Sequence, residues 1–231
     1  MNRRRNFLAA GLMLVFTLTA CSLADFAYDL APRVALRQVD DYLHLNNRQE
    51  VNALELFRER HAVHARDELP RYYRFLSETE EAISDGIDAM DMDAVFDGVR
   101  GLYRLGVERT IPAAAEILAD LDKDQLDALQ DRLREDVEED RERIDEDHDA
   151  RRRRKTLEEI EEWIGDLDES QQRMVVHNLK EMVETRPLWL AWRMSRNEKL
   201  IELLRDQPKR EAIESFLMDY WIHNTGMPSE L

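Results

Sequence analysis

The chain has 231 residues, of which 50 are acidic and 33 basic, for a formal net charge of −17 at pH 7, and it has a single cysteine. Such an acidic balance keeps a protein soluble and repels polyanions, which tells against nucleic acid as a partner. The length suffices to bury a core, while scarce glycine, abundant Leu, Glu, Asp, Arg and Ala, and the lack of β-branched tracts point to an all-α protein rather than one built on strands.

Residues 1–20 have the three parts of an export signal: basic Arg3, Arg4 and Arg5, an uncharged apolar run from Phe7 to Leu18, and small residues after it. The run is shorter than the ~20 residues a helix needs to cross a bilayer. It ends in Leu18-Thr19-Ala20-Cys21, which resembles the lipobox of bacterial lipoproteins. The resemblance implies that the Cys21 thiol carries a diacylglyceryl group and becomes the mature N-terminus, which also accounts for an exported protein with one unpairable cysteine. Two or more acyl chains make such an anchor stable where one is marginal. Removing residues 1–20, with three arginines and no acid, takes the formal charge from −17 to −20. Serine rather than aspartate at position 22 implies sorting to the outer membrane, with the body facing the periplasm. Arg4-Arg5-Asn6-Phe7-Leu8 fits the core of a twin-arginine signal, although the short basic region and strong apolar core favour the general secretory route. The chain thus divides into a signal (1–20), a lipidated cysteine with tether and first helical stretch (21–40), and a helical domain (41–231).

Pro32 stands at or near the first helix start. A second helix begins at Asn46 or Asn47 and runs to about Leu69, with Val51, Leu54, Leu56, Phe57 and Val63 in its apolar stripe. Pro70 marks a junction to a further helix reaching Gly86. The next spans about Asp91 to Arg109, after which Thr110 and Pro112 read as cap and first turn of a new short helix. Neither glycine nor proline occurs between Pro112 and Gly165, and the apolar positions lapse between Ile144 and Leu157. A helix without an apolar stripe there is solvated all round, so it projects from the body or bridges two bundles; pairs such as Glu139–Arg143, Asp147–Arg151 and Asp149–Arg153 would support it locally. Three amphipathic helices follow, over Asp168–Arg186, Leu188–Leu204 and Lys209–His223, punctuated by Pro187 and Pro208. The expected architecture is an elongated helical bundle with one long, highly charged helix.

One pattern recurs three times: Leu45-Asn46-x-x-Gln49, Leu121-Asp122-x-x-Gln125 and Leu167-Asp168-x-x-Gln171. Each reads as a capping box, in which the Asn or Asp side chain accepts from an early amide and the glutamine reaches back to the cap residue. The pattern is also similar to the L-T-x-x-Q signatures of Spy- and CpxP-type periplasmic chaperones, with Asn or Asp in place of threonine. The stretch Val39-Asp40-Asp41-Tyr42-Leu43-His44-Leu45-Asn46-Asn47-Arg48-Gln49, with Asp67-Glu68-Leu69-Pro70-Arg71-Tyr72, resembles an uncharacterised family of helical proteobacterial lipoproteins. That resemblance implies the fold and the anchor and carries no chemistry.

His61, His64 and Glu68 share a helix face and could hold a metal, although the spacing is not the H-E-x-x-H of helical zinc proteases; polar side chains facing solvent are the plainer reading. Asp85, Asp88, Asp91 and Asp93 lack the order of a calcium loop. Arg151 to Lys155 form a basic cluster, either offsetting the acidic stretch before it or meeting anionic headgroups. Trp189, Trp192 and Trp221, with Tyr220 beside the last, are either packed between the final helices or a surface for a partner. No nucleophile motif, cofactor signature or metal-ligand set stands out. The expectation is a membrane-anchored, non-enzymatic protein that binds an envelope partner or an unfolded client, with a metal-dependent envelope enzyme built on His61, His64 and Glu68 as the alternative.

Overall fold

The computed structural model describes residues 26–84, 86, 88–146, 149–181 and 184–230. The export signal, Cys21, Ser22 and Asp85 lie outside these residues, and so do the side chains of the pairs Asp147–Arg151 and Asp149–Arg153 in whole or part. Among the described residues all regular structure is helical, as the composition requires. Nine α-helices follow a helical turn at 26–29: α1 (Ala31–Leu43), α2 (Asn47–Val63), α3 (Leu69–Ala82), α4 (Ala89–Ala119), α5 (Lys123–Glu146), α6 (Asp149–Ile164), α7 (Glu169–Glu181), α8 (Arg186–Arg205) and α9 (Arg210–Trp221). None of them is long and apolar enough to cross a membrane.

The core lies where α1, α2, the second half of α4, the first half of α5, α8 and α9 meet. Leu43, Ala53, Ile111, Ala115, Leu126, Leu129, Ile201, Leu204, Ile213 and Leu217 are all buried there in one cluster. This packing corrects the expected break at Thr110. Helix α4 runs unbroken through Pro112 for 31 residues, although an interior proline removes an amide and costs ~3 kcal/mol. Ile111, Ala115 and Ile117 flank the proline and are all buried; a fully buried isoleucine alone contributes ~1.5–3 kcal/mol. The Thr110 hydroxyl donates back to the Gly106 carbonyl at 2.8 Å, so it caps no new helix.

All three capping boxes form. Asn46 accepts from the Gln49 amide while Gln49 Oε1 accepts from the Asn46 amide, and the Asp122–Gln125 and Asp168–Gln171 boxes repeat both bonds. A fourth box, Asp88–Asp91, starts α4, which engages two of the aspartates considered for calcium. The first two boxes do more than cap. Gln49 and Gln125, both buried, face each other and exchange amide hydrogen bonds of 3.0 and 2.8 Å. Gln49 Nε2 also donates to the Asp120 carbonyl at 2.6 Å, and Gln125 Nε2 to the carbonyls of Leu43 and His44. The starts of α2 and α5 are therefore tied to each other and to the ends of α1 and α4. Asp40 completes the corner by accepting from the Leu45 amide where His44 turns left-handed (φ 47°) after α1. Tyr42 donates to Asp136 at 2.7 Å and holds α1 on α5.

Two helical hairpins extend this bundle. Helix α3 has no buried residue, and it meets α4 where Phe75 lies on Gly98; a Cβ there would stand 2.2 Å from the ring, so the approach requires glycine. Tyr73, Leu76, Met92, Phe96, Val99 and Tyr103 stay exposed along this hairpin. Helix α6 packs chiefly on α7 rather than on the bundle, in keeping with a charged helix that lacks an apolar stripe. Within α6 the basic cluster pairs locally, Arg154 with Glu158 and Lys155 with Glu159. Near the turn of this hairpin Trp163 is 88% exposed.

Candidate partner-binding site

The three tryptophans singled out in the sequence line one cleft of about 590 Å3. Helix α8 brings Trp189, Trp192 and Arg196 to a single face by i, i+3 and i+4 spacing, because Pro187 in its first turn starts the helix just before them. Helix α9 supplies Tyr220 and Trp221, and Tyr103, Gly106, Val107 and Thr110 of α4 form the facing wall. Beyond α9 the chain turns at Asn224 (φ 51°) and Gly226 (φ 74°), which brings Met227 onto the cleft. The Trp192 indole N–H fastens this segment by donating to the Thr225 carbonyl at 3.2 Å. Core and surface readings of the tryptophans each hold for part of the set: Trp192 is buried, Trp221 half-buried and Trp189 42% exposed.

Cations lie against these rings. The Arg193 guanidinium is 5.4 Å from the Trp189 ring centre, Arg196 is 4.9 Å from Trp192, and the Lys199 ammonium 5.4 Å from Tyr220. Such contacts are worth ~0.5–2 kcal/mol, more when desolvated. Arg193 is neutralised by Asp136 and Asp140 of α5. Arg196 meets no carboxylate among the described residues, and burial, with the Arg193 charge beside it, pushes its guanidinium below the usual arginine range. A smaller hollow of about 170 Å3 between α5 and α8, floored by Leu133, Val137, Met194 and Ile201, has room for little more than a side chain.

The His61, His64 and Glu68 group has a different architecture from the surface cluster expected. Residues His64–Glu68 form a turn of π-helix between α2 and α3, and the wider turn swings Glu68 fully inward. Its carboxylate accepts from Arg60 at 2.8 Å and from Arg109 at 3.1 Å, one guanidinium on each oxygen. Burial would raise the Glu68 carboxyl, but the bonds from Arg60 and Arg109 outweigh it and hold the group below the usual carboxylate range. His64 Nδ1 is 2.7 Å from the Tyr28 hydroxyl, and burial lowers the His64 ring below its ordinary value. The Tyr28 ring packs 4.2 Å from His61, and Tyr72 meets His64 edge-on. A carboxylate already paired with two guanidiniums presents a cation with a repulsive field. Among the described residues no three metal-ligating side chains converge. This group joins α2, α3 and α4.

Sequence reasoning grouped Trp189, Trp192 and Trp221 but missed Arg196 and Tyr103. Arg196 follows Trp192 by four residues, a spacing that places it on the same helix face; Tyr103 is distant in the chain and gave no signal. The model of a family of unknown function, DUF6279, matches residues 41–223. No curated protein and no solved structure matches the chain.

Proposed function

Because the chain belongs to this family of unknown function, its role has to be read from the site, and we propose that it is a non-enzymatic, lipid-anchored protein of the bacterial envelope that holds a protein partner or an unfolded client. The observation that carries the binding role is the open cleft in which Trp189, Trp192, Tyr220 and Trp221 stand together with cations against their rings. Aromatic rings joined to arginine are the residues that dominate protein interfaces. The exposed run Met92, Phe96, Val99 and Tyr103 on α4 leads toward that cleft at helical spacing and favours a client that exposes apolar residues. Cys21 and the segment before it support the anchor, and Ser22 after it supports an outer-membrane location with the body facing the periplasm.

Two measurements test the proposal. Mass spectrometry of the native protein is expected to find the mature chain starting at acylated Cys21, and Cys21→Ala to release it from the membrane fraction; an unmodified thiol or a different start overturns the anchor. The purified protein is expected to suppress aggregation of a chemically denatured client, with Trp189→Ala weakening that effect severalfold while leaving helicity unchanged. A protein that neither holds such a client nor crosslinks through position 189 to an envelope protein in intact cells overturns the binding role.

A further inference from the structure

Arg196 gives the cleft a chemical preference. Elsewhere in the bundle inward-facing arginines find carboxylates: Arg60 and Arg109 on Glu68, Arg193 on Asp136 and Asp140. Arg196 is partly buried, lines the cleft and stacks on Trp192, yet it has neither a carboxylate nor a carbonyl within hydrogen-bond reach among the described residues. A guanidinium carries five N–H donors in a planar fork that matches a carboxylate. In a chain with 50 acidic residues against 33 basic ones, a sheltered arginine with no anion beside it among the described residues is the exception, and a ligand can supply that anion.

We propose that the cleft recognises the C-terminal carboxylate of a peptide ending in an apolar residue, with Arg196 holding the carboxylate and the last side chain lying among Trp189, Trp221 and Met227. This inference rests on the binding role proposed above and names what the site reads. A chain end suits the geometry because its carboxylate and its last side chain leave the same Cα, so both reach the guanidinium and the indoles without the chain passing through the cleft. Asn224 on the wall can meet the peptide's amide groups, whereas an acyl chain would gain nothing from it. The strongly negative net charge opposes a multiply charged phosphate more than a single carboxylate.

The test titrates the full-length protein in detergent with a short peptide ending in Ala-Ala-Phe, as free acid and as C-terminal amide, followed by calorimetry. The free acid is expected to bind at least about tenfold more tightly than the amide, the size of effect a charge-assisted hydrogen bond gives. Arg196→Gln is expected to abolish that difference, and Arg196→Lys to retain part of it. Equal binding of acid and amide, no binding of either at millimolar concentration, or discrimination that survives Arg196→Gln overturns the proposal. So does Arg196-dependent capture of phosphatidylglycerol vesicles with acid and amide alike, which would assign the arginine to a lipid headgroup. The wild-type comparison needs no variant, so a folding defect cannot obscure it. The denatured-client assay separates the two readings: if wild type and Arg196→Gln hold the client equally while acid and amide do not differ, the carboxylate preference fails and the wider binding role stands.

Discussion

At the starts of α2 and α5, two neutral amides are buried face to face; at the junction of α2 with α3, a carboxylate is buried between two guanidiniums. Both centres place polar atoms among apolar ones, where an unpaired group is costly, and both join segments distant in the chain. They differ in how they are balanced. Gln49 and Gln125 each donate and accept, so the pair closes on itself and on nearby carbonyls without net charge. Glu68 only accepts, and it depends on Arg60 and Arg109, whose side chains remain 17% and 30% exposed. The contrast teaches that the bundle has one joint indifferent to pH and one that requires an ionised acid.

Breaking the charged joint is expected to do the most damage. Glu68→Ala leaves two facing guanidiniums without their anion and should destabilise the fold by about 3 kcal/mol or more, read as a lower midpoint in urea unfolding; a change under 1 kcal/mol would mean that water compensates the arginines. Gln125→Ala should cost about 2 kcal/mol, because it removes one partner from each end of the Gln49 amide and leaves the Asp122 amide and the Leu43 and His44 carbonyls without its side chain. A double-mutant cycle with Gln49→Ala is expected to show coupling of about 1 kcal/mol, and additive losses would show that the glutamines act only as separate caps.

Acid sharpens the same comparison. Glu68 is ordinarily protonated near 4.5 and is held lower in the fold, so its stabilisation is complete above 4.5 and is lost as pH falls through the depressed value. His64 is ordinarily protonated near 6.5 and is also depressed, so it acts in the same sense from 6.5 downward. Thermal unfolding below about pH 4.5 should therefore fall more steeply with acid in the wild type than in Glu68→Gln, and parallel curves there would remove Glu68 as the sensor. Gln125→Ala should lower the whole curve without changing its slope. The smallest effect belongs to the solitary third box: Gln171 is exposed and its side chain bonds only the Asp168 amide among the described residues, so Gln171→Ala should cost no more than about 0.5 kcal/mol.

Three of the four capping boxes were legible in the chain because a box is a local object, complete within four residues whatever surrounds it. The meeting of two of them was not, since Gln49 and Gln125 are separated by 76 residues and identical local patterns at Asp122 and Asp168 end in different surroundings. Glu68 misled for a related reason: i, i+3 and i+4 spacing puts it beside His61 and His64 on a regular helix, but the π turn rotates it inward toward an arginine of α4. At Thr110 and Pro112 the local signals named a helix start, and burial on both sides of the proline overrode them. Residues of the stretch that suggested the lipoprotein family prove to be architectural within the bundle: Asp40 and Tyr42 hold the end of α1, Gln49 joins α2 to α5, and Glu68 joins α2 to α4.

Helical class, most element boundaries and three of the four capping boxes follow from the chain alone, because periodicity, proline and short-range hydrogen bonding act over a few residues. Which glutamines meet, which acid is enclosed and which arginine is left beside the tryptophans were decided only when distant helices packed. A buried group's energy depends on neighbours that the chain brings from far away, and no local pattern encodes them.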